Sequence, residues 1–332
     1  MSDERNIYVI PEPAIDVNEV RSSLRLLQRY NNLLTPNKIL TKAGKTIIEL
    51  IPKDVKDSAE QLFRTVTEAD IYKKTLSVIS DSFKQIERYA SGKTLSEEFI
   101  ISAVNSVIPQ NTVTDLKEFC LARGYNISSL VFDFKRKNLF YAMANGAGTG
   151  AFGLAGLPAN LALTLFLYYR AVQSVAMIYG YNVKTDNVEM VIAGEVLIAA
   201  LNPLTENSGG INGALNEFLA LKPLFLTDKG DVSPEALKKL CEIKSMAKES
   251  LNQDAYKSTS GGFEYTVYKK VFEKLGEKFS KKILKKGIPL ASTVIGAVTD
   301  SLEMNTVIEY ADIFYNKRFL AEKKDNLKAL ST

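Results

Sequence analysis

A segment of 32 residues without a charged side chain runs from Asn138 to Tyr169 and limits how this chain can fold. The segment is long enough for a membrane span, since about 20 apolar residues suffice to cross a bilayer. Its first half is rich in glycine and alanine, Pro158 interrupts it, and large apolar side chains dominate from Leu161 onward. The segment therefore predicts close backbone packing, in a Gly-rich helical hairpin that is either buried or membrane-competent.

The glycines of this segment share only their spacing with a nucleotide-binding loop. Positions 148, 150 and 153 follow the pattern G-x-G-x-x-G, which binds dinucleotides when a strand precedes it and an acid follows about 20 residues later. Here the preceding residues have helical periodicity and the next acid is Asp186. Glycine lets another backbone approach closely, so we predict a structural role for the whole set. The set comprises Gly146, Gly148, Gly150, Gly153 and Gly156.

A single arginine, Arg170, follows the uncharged segment, within an apolar stretch that predicts a helix from Ala159 to Tyr181. A charge at the centre of a membrane costs at least about 2.5–3.5 kcal/mol, so this helix is not expected to span a bilayer alone. Two interpretations stay open. One is a buried core helix in which Arg170 pairs with an acid, and the other is insertion of the segment into a membrane.

The composition excludes several classes of site. The chain has no histidine, which excludes Ser-His-Asp and Cys-His catalysis, histidine general bases and the usual catalytic zinc sites. The two cysteines, Cys120 and Cys241, are too few for a Cys-rich metal site and favour a reducing cytosol. The first 16 residues lack the apolar run of a signal peptide. We therefore expect a cytoplasmic protein without a cofactor.

Helical periodicity dominates the rest of the chain, and we find no convincing strand. The sequence therefore predicts an all-α, multi-helix globular bundle. Apolar spacing, caps and breakers predict helices at Val17–Leu34, Asn37–Ile51, Val55–Tyr89, Ser96–Val107, Asp115–Ala122 (N-cap Thr114), Ser128–Ala144, a helix capped by Thr185 or Asp186 that ends at Leu201, Ile211–Ala220, Ser233–Leu251, Phe263–Lys286, and a last region after Pro289 that ends at Leu330.

A strongly basic helix is predicted over Val267 to Lys286, where eight lysines and two glutamates give a net charge of +6. Its apolar residues form one stripe, as in a helix that lies at a membrane surface with its lysines toward anionic head groups. Each such lysine adds about 1 kcal/mol. The alternative is a core-packed helix with a solvated lysine face. The lysines are Lys269, Lys270, Lys274, Lys278, Lys281, Lys282, Lys285 and Lys286, and the stripe is Tyr268, Val271, Phe272, Leu275, Phe279 and Ile283.

An apolar run from Gly287 to Thr299 follows this helix directly. Its 13 residues are too few to span a bilayer, but they suit a hairpin or an inserted wedge. The membrane-binding residues predicted here are Ile288, Pro289, Val294 and Ile295.

Neither nucleic-acid binding nor an acid–base pair is indicated. The aromatic residues of the basic helix lie opposite its lysines, whereas a nucleic-acid site needs aromatic side chains beside the basic ones. The net charge of the chain is only +4. The acids Glu189, Glu195, Asp300 and Glu303 have spacings that a solvated helix shows by default.

Two blocks of the sequence, taken in order, resemble the EcsC family. The first is a Gly/Ala-rich run that ends in Leu-Pro at 157–158, followed by an aliphatic helix, by R-A-V-Q at 170–173 and by a Y-G-Y motif that contains Gly180. The resemblance therefore implies a structural role for the glycines of this run, and for Pro158, Arg170 and Gly180.

The second block of the resemblance lies at the end of the chain. It comprises I-P at 288–289, I-G-A at 295–297 and a helix that closes on Tyr315 and on R-F at 318–319. Ser292 stands where the family usually has glycine, and Asp300 where asparagine is common. The match extends from about Asp115 to Leu320, and the first 100 residues match only loosely.

The resemblance implies a bacterial protein on the cytoplasmic side of the membrane, from a family without an established reaction. The namesake of the family is encoded beside the ATPase and membrane subunits of an ABC transporter. For the domains, we expect an N-terminal helical region over 1–110 and an EcsC-like helical domain over 111–325, joined in one continuous fold.

Three functions follow as hypotheses. The first is a non-enzymatic peripheral membrane protein that binds anionic lipid, or serves transporter subunits, through the lysine helix and the wedge. The second is a soluble enzyme, such as a hydrolase that uses carboxylates or a bound metal. The third is a soluble interaction scaffold whose uncharged segments are core.

Overall fold

The fold was analysed in a computed structural model that describes residues 8–35, 68–91, 96–135, 157–201, 209–221, 225–227, 229–252, 262–286 and 293–331. Ten α-helices and one 3₁₀ helix lie within these residues. They are α1 (Val17–Leu34), α2 (Glu68–Ser91), α3 (Glu97–Asn105), the 3₁₀ helix (Leu116–Leu121), α4 (124–135), α5 (Leu157–Ile178), α6 (Asn187–Leu201), α7 (Ile211–Ala220), α8 (Pro234–Leu251), α9 (Gly262–Lys286) and α10 (Thr293–Leu330).

The all-α prediction is confirmed, since the described residues contain no strand beyond one isolated antiparallel bridge between Leu226 and Val232. The predicted bounds of α1 and α7 match those of the structure. The predicted helix Asn37–Ile51, residues 55–67 of the predicted helix Val55–Tyr89 and the glycine block up to Gly156 lie outside the described residues.

Side-chain caps explain where several helices begin. Asp16 and Glu19 form a capping box at the start of α1: the Glu19 N–H donates to the Asp16 carboxylate over 2.8 Å, and the Asp16 N–H donates to the Glu19 carboxylate over 3.0 Å. Ser96 caps α3 and Ser233 caps α8, at the positions where the sequence predicts these two helices to begin. Asp186 caps α6, by accepting from the backbone N–H of Val188.

One predicted cap is wrong. The expected helix after Thr114 is the short 3₁₀ helix, and its N-cap is Asp115, which accepts from the Lys117 N–H over 2.8 Å. Asp115 forms a capping box with Glu118, so the helix begins one residue later than predicted.

Helices α5 and α6 form the centre of the molecule. α5 packs against α2, α10 and α6, and α6 is surrounded by α5, α7, α8, α9 and α10. Every side chain from Glu189 to Ala200 is buried, so α6 has no solvent face, as expected of a central helix. Pro158 lies in the first turn of α5, where its missing N–H is not required.

One helix of the described part is long and apolar enough to cross a membrane. It is the window Leu161–Ile178 of α5, with a mean hydropathy of 1.4, and 89% of the window is buried inside the protein. The guanidinium of Arg170 lies 3.0 Å from the carboxylate of Glu264, and the two side chains form an ion pair. This pairing is what the core-helix interpretation of the segment predicts.

Candidate functional site

The apolar stripe of the lysine helix faces the protein in the half whose side chains the structure describes. Tyr268, Val271, Phe272 and Leu275 are at most 4% exposed. They pack where α9 crosses α2 and α6, and the ring of Phe272 stacks on that of Tyr72 at 5.5 Å between centroids. The prediction that this part of the stripe faces acyl chains is therefore wrong.

The three described lysines differ in what they contact. Lys269 is 37% exposed and lies 4.0 Å from Glu273. Burial, and then the nearby ammonium of Lys274, lowers the pKa of Lys270. Lys274 is 48% exposed and forms an ion pair with Glu195, whose side chain is 4% exposed. Lys274 thus neutralises a buried acid.

The other predicted membrane-binding side chains lie outside the described set. These are Lys278, Lys281, Lys282, Lys285, Lys286, Ile288, Pro289, Val294 and Ile295, and the same holds for Gly146, Gly148, Gly150, Gly153 and Gly156.

A polar cleft of about 490 Å³ lies at the other end of α9, where this helix begins beside α5 and α6. Its volume falls in the range of small-molecule sites. The beginnings of three helices surround it: Ser96 caps α3, Asn187 is the first residue of α6, and Glu264 lies in the first turn of α9. The lining residues are Ser96, Arg170, Gln173, Ser174, Met177, Val183, Lys184, Asn187, Met190, Phe263 and Glu264.

The floor of this cleft holds a small polar network. Glu264 accepts from the Arg170 guanidinium over 3.0 Å and from the Gln173 amide nitrogen over 3.2 Å. Burial raises the pKa of Glu264, against the opposing effects of Arg170 and then of Gln173. The Arg170 guanidinium also lies over the ring of Phe166, 5.1 Å from its centroid. The amide oxygen of Gln173 and Nε of Arg170 are buried and have no hydrogen-bond partner.

A second cleft, of about 300 Å³, lies between α1, α4 and α10. Asp312 on its wall accepts from Tyr179 over 2.6 Å and from Arg29 over 2.5 Å. Burial raises the pKa of Asp312, and the charge of Arg29 opposes this effect. Glu309 pairs with both Arg29 and Lys135, at 2.6 and 2.8 Å. The charged groups of this second cleft thus have partners within the protein. Their network connects α10 to α1 and α4.

Buried ion pairs link α10 to the rest of the core. Arg318 is 1% exposed and binds the Glu189 carboxylate through both of its NH₂ groups, over 2.6 and 2.5 Å, while stacking at 3.9 Å on Tyr181. Lys323 and Glu19 are fully buried and lie 2.6 Å apart. Glu189 and Glu195 are therefore buried acids with partners, and the prediction of a solvated helix for them is wrong.

The sequence predicted only part of this arrangement. Arg170 and Gln173 belong to the R-A-V-Q motif, but their acid Glu264 lies 94 residues from Arg170 in the chain. The available signal was a glutamine three residues after an arginine, in a helix that is otherwise apolar. Gly180 was predicted as structural, and two findings agree with that role: its φ is +89°, and a Cβ at this position would lie 2.7 Å from the Leu116 carbonyl oxygen.

Among the described residues, no group of three or more Cys, Asp or Glu side chains is placed to hold a metal ion. Both cysteines are free, Cys120 buried and Cys241 exposed. Burial raises the pKa of the Cys120 thiol to about 11. This thiol is therefore protonated at neutral pH and is a poor nucleophile.

The fold and the two clefts define an all-α protein with an apolar central helix pair, crossed by buried ion pairs. The chain belongs to the EcsC protein family, which matches residues 18–320 of its 332 residues. A search of curated proteins found no match. A search of solved structures likewise found none.

Proposed function

We propose that this chain is a non-enzymatic, cytoplasmic protein that docks on an anionic membrane surface through the second half of α9. Transporter subunits in that membrane are its proposed protein partners, by analogy with the gene neighbourhood of the family's namesake. The docking surface consists of the lysines at 278, 281, 282, 285 and 286.

The observation that carries the proposal is that lysine replaces an apolar residue at two positions of α9 that repeat its buried register. The helix continues through Lys286, and Val271 and Leu275 face the core in the half whose side chains the structure describes. Seven residues are close to two helical turns, so positions 278 and 282 repeat the register of Val271 and Leu275. Both positions carry lysine. Lysine is almost never fully buried unless it is paired, so the pattern favours a second half of α9 that presents its charge to another surface.

The mode of docking follows from the burial of the first half. Tyr268 and Phe272 are both fully buried in the protein, which leaves no apolar face there to enter a membrane. Binding should therefore be mainly electrostatic, at about 1 kcal/mol per lysine near an anionic surface. Such binding is screened by salt, because the Debye length falls from about 10 Å at 0.1 M to about 3 Å at 1 M.

Vesicle flotation tests this proposal. We expect purified protein to float with anionic but not with neutral vesicles at low salt, and to be released in about 1 M salt. A variant with Lys278, Lys281, Lys282 and Lys285 changed to Gln should bind about a thousandfold more weakly, since four lysines contribute about 4 kcal/mol. The measurement is the fraction bound as a function of lipid concentration.

The matched control changes four exposed lysines elsewhere to Gln, at Lys229, Lys238, Lys248 and Lys328. It removes the same charge and should bind within a few-fold of wild type. Equal loss in both variants would show that only the net charge matters. Undiminished binding of the α9 variant would assign the docking to another segment, and no flotation of wild type would favour the soluble scaffold.

A further inference from the structure

The outer faces of α1 and α4 carry most of the large apolar side chains that are exposed among the described residues. Seven such side chains are exposed, and four of them lie on these two helices. Leu24 of α1 and Phe132 of α4 are the most exposed, at 60% and 61%, and Val17 and Tyr125 are the other two. Single exposed apolar side chains are common on protein surfaces, whereas a patch of them marks an interaction site.

The four side chains belong to one surface, because α1 and α4 lie side by side on α10. At the start of the two helices, the Tyr125 hydroxyl donates to the Asp16 carboxylate over 3.3 Å. Farther along, Arg29 of α1 and Ser128 of α4 both donate to Asp312 of α10, over 2.5 and 3.4 Å. The two helices thus begin together and contact the same residue of α10.

On each helix the exposed residues form a stripe with spacings of three or four residues, which places them on one face of the helix. The opposite faces are buried, with Leu26 and Tyr30 on α1 and with Val131 and Phe134 on α4. Both stripes therefore point away from the core, and together they are called the α1–α4 surface. They comprise Val17, Arg21, Leu24 and Gln28 of α1, and Tyr125, Ser129 and Phe132 of α4.

The exposed charges beside these stripes have opposite signs on the two helices. Those of α1 are Arg21 and Arg25, and that of α4 is Asp133. Within the described residues, none of the three side chains forms an ion pair. The surface is therefore complementary to itself. A second copy that is turned by a twofold axis brings its α4 over α1 of the first copy, and a twofold interface uses the same patch on both copies.

The size of the α1–α4 surface sets the strength of such an association. The 18 residues of α1 span about 27 Å and the 12 of α4 about 18 Å, and two adjacent helices are about 20 Å wide. The surface thus measures about 400–500 Å² on each copy, or about 800–1,000 Å² in total. Interfaces below about 1,200 Å² are typical of weak, reversible complexes.

We propose that two copies of this chain form a reversible twofold dimer through the α1–α4 surface. Arg21 and Arg25 of each copy pair with Asp133 of the other, and the four apolar side chains are buried between the copies. Aromatic and arginine side chains are the types enriched at protein interfaces. The dimer does not depend on the lysine surface of α9.

Analytical ultracentrifugation of the full chain at about 1 to 300 μM tests the proposal. We expect the average mass to rise from the 36.8 kDa of one copy toward twice that mass, with a Kd of about 1–100 μM. A reducing agent keeps the exposed Cys241 from crosslinking the copies. A mass that stays at one copy over the whole range would overturn the proposal, as would growth beyond the dimer, because a twofold interface is closed.

Two apolar substitutions locate the interface. Leu24→Ser together with Phe132→Ser should weaken the dimer at least about tenfold, because both side chains are exposed in one copy and buried between two. Phe99→Ser together with Leu237→Ser is the matched control, since these apolar side chains are exposed on α3 and α8. The control should dimerise like wild type. Equal weakening in both variants, or in neither, would rule out the α1–α4 surface.

A charge exchange tests the pairing between the copies. Asp133→Arg alone, or Arg21→Glu with Arg25→Glu, should each weaken the dimer at least about tenfold, because like charges then face each other. All three changes in one chain should restore the Kd to within a few-fold of wild type. Lys238→Glu with Lys248→Glu, at exposed positions of α8, changes the net charge equally and should have no effect. Absence of this restoration would contradict the proposed pairing.

Discussion

At the scale of single residues, Lys317 differs from the other buried charges of α10. Arg318 and Lys323 pair with carboxylates, whereas the Lys317 ammonium donates to the carbonyl oxygens of Phe218 and Leu219, over 2.6 and 3.2 Å. These carbonyls belong to the last turns of α7, so the lysine caps that helix. Its side chain is buried, and burial lowers the pKa of Lys317 to about 7.

A pH dependence of stability follows from this lowered pKa. The folded lysine has a pKa of about 7, below its ordinary value of 10.5. Above pH 10.5 Lys317 is neutral in both the folded and the unfolded protein, so no charge has to be buried on folding. As the pH falls toward 7, only the unfolded lysine gains a proton, and the free energy of unfolding decreases by up to about 1.4 kcal/mol per pH unit. Below pH 7 both states are protonated and the loss is complete.

We predict that Lys317→Met removes this slope. Urea unfolding of wild type and variant from pH 7 to 9.5 should show a difference in unfolding free energy that changes with pH, in favour of wild type at high pH. The lost hydrogen bonds to the α7 carbonyls add an offset that does not depend on pH. Parallel profiles over this range would mean that Lys317 keeps its ordinary pKa.

At the scale of elements, the end of α5 depends on one glycine. Gly180 has a φ of +89°, and the Tyr181 N–H donates to the Ala176 carbonyl over 3.0 Å. The Gly180 N–H donates to the Met177 carbonyl over 2.9 Å, which completes a Schellman motif. A Cβ at Gly180 would lie 2.7 Å from the Leu116 carbonyl oxygen, so the residue also allows the 3₁₀ helix to approach α5.

We predict that Gly180→Ala lowers the free energy of unfolding by about 2 kcal/mol or more, because a left-handed non-glycine residue costs about 1–3 kcal/mol and the clash adds to this. Chemical denaturation measures the change. Gly209→Ala is the control, since a Cβ there meets nothing within 4 Å, and it should change stability by less than about 0.5 kcal/mol. Equal effects of the two substitutions would contradict the steric argument.

At the scale of the whole molecule, α10 joins the two ends of the chain. It packs against α1, α5, α6, α7, α8 and the 3₁₀ helix. The Lys323–Glu19 pair closes a separation of 304 residues, and the Arg29–Asp312 hydrogen bond one of 283. Such contacts favour one continuous fold over separate units at 1–110 and 111–325.

We therefore predict that a local break in this link weakens the entire fold. Lys323→Met leaves Glu19 without one buried partner, and such a break costs about 3–5 kcal/mol. Hydrogen exchange should show the same decrease in opening free energy in α1 and in the distant helix α6. Lys324→Met is the control, because its partner Asp231 is exposed and such pairs contribute about 0–1 kcal/mol. A decrease confined to α1 would indicate that α1 unfolds separately.

Much of the helical framework followed from the sequence alone. The limits of α1, α7 and α8 depend on apolar spacing and on nearby caps such as Asp16 and Ser233, and these act within one or two turns. The same local patterns could not predict what the apolar stripe of α9 packs against, because an apolar stripe opposite lysines fits both a protein core and a membrane surface.

The sequence alone therefore predicted local features: an all-α fold, most described helix limits, the apolar character of α5 and the structural role of Gly180, but it left open whether α5 is buried in the protein or inserted in a membrane. The tertiary structure alone decided which acids meet which bases. Glu189 meets Arg318 across 129 residues and Glu195 meets Lys274 across 79. Helical periodicity places a charge on a face of its own helix but carries no information about the helix opposite, so these pairs and the cleft at Gln173 exist only once the helices pack.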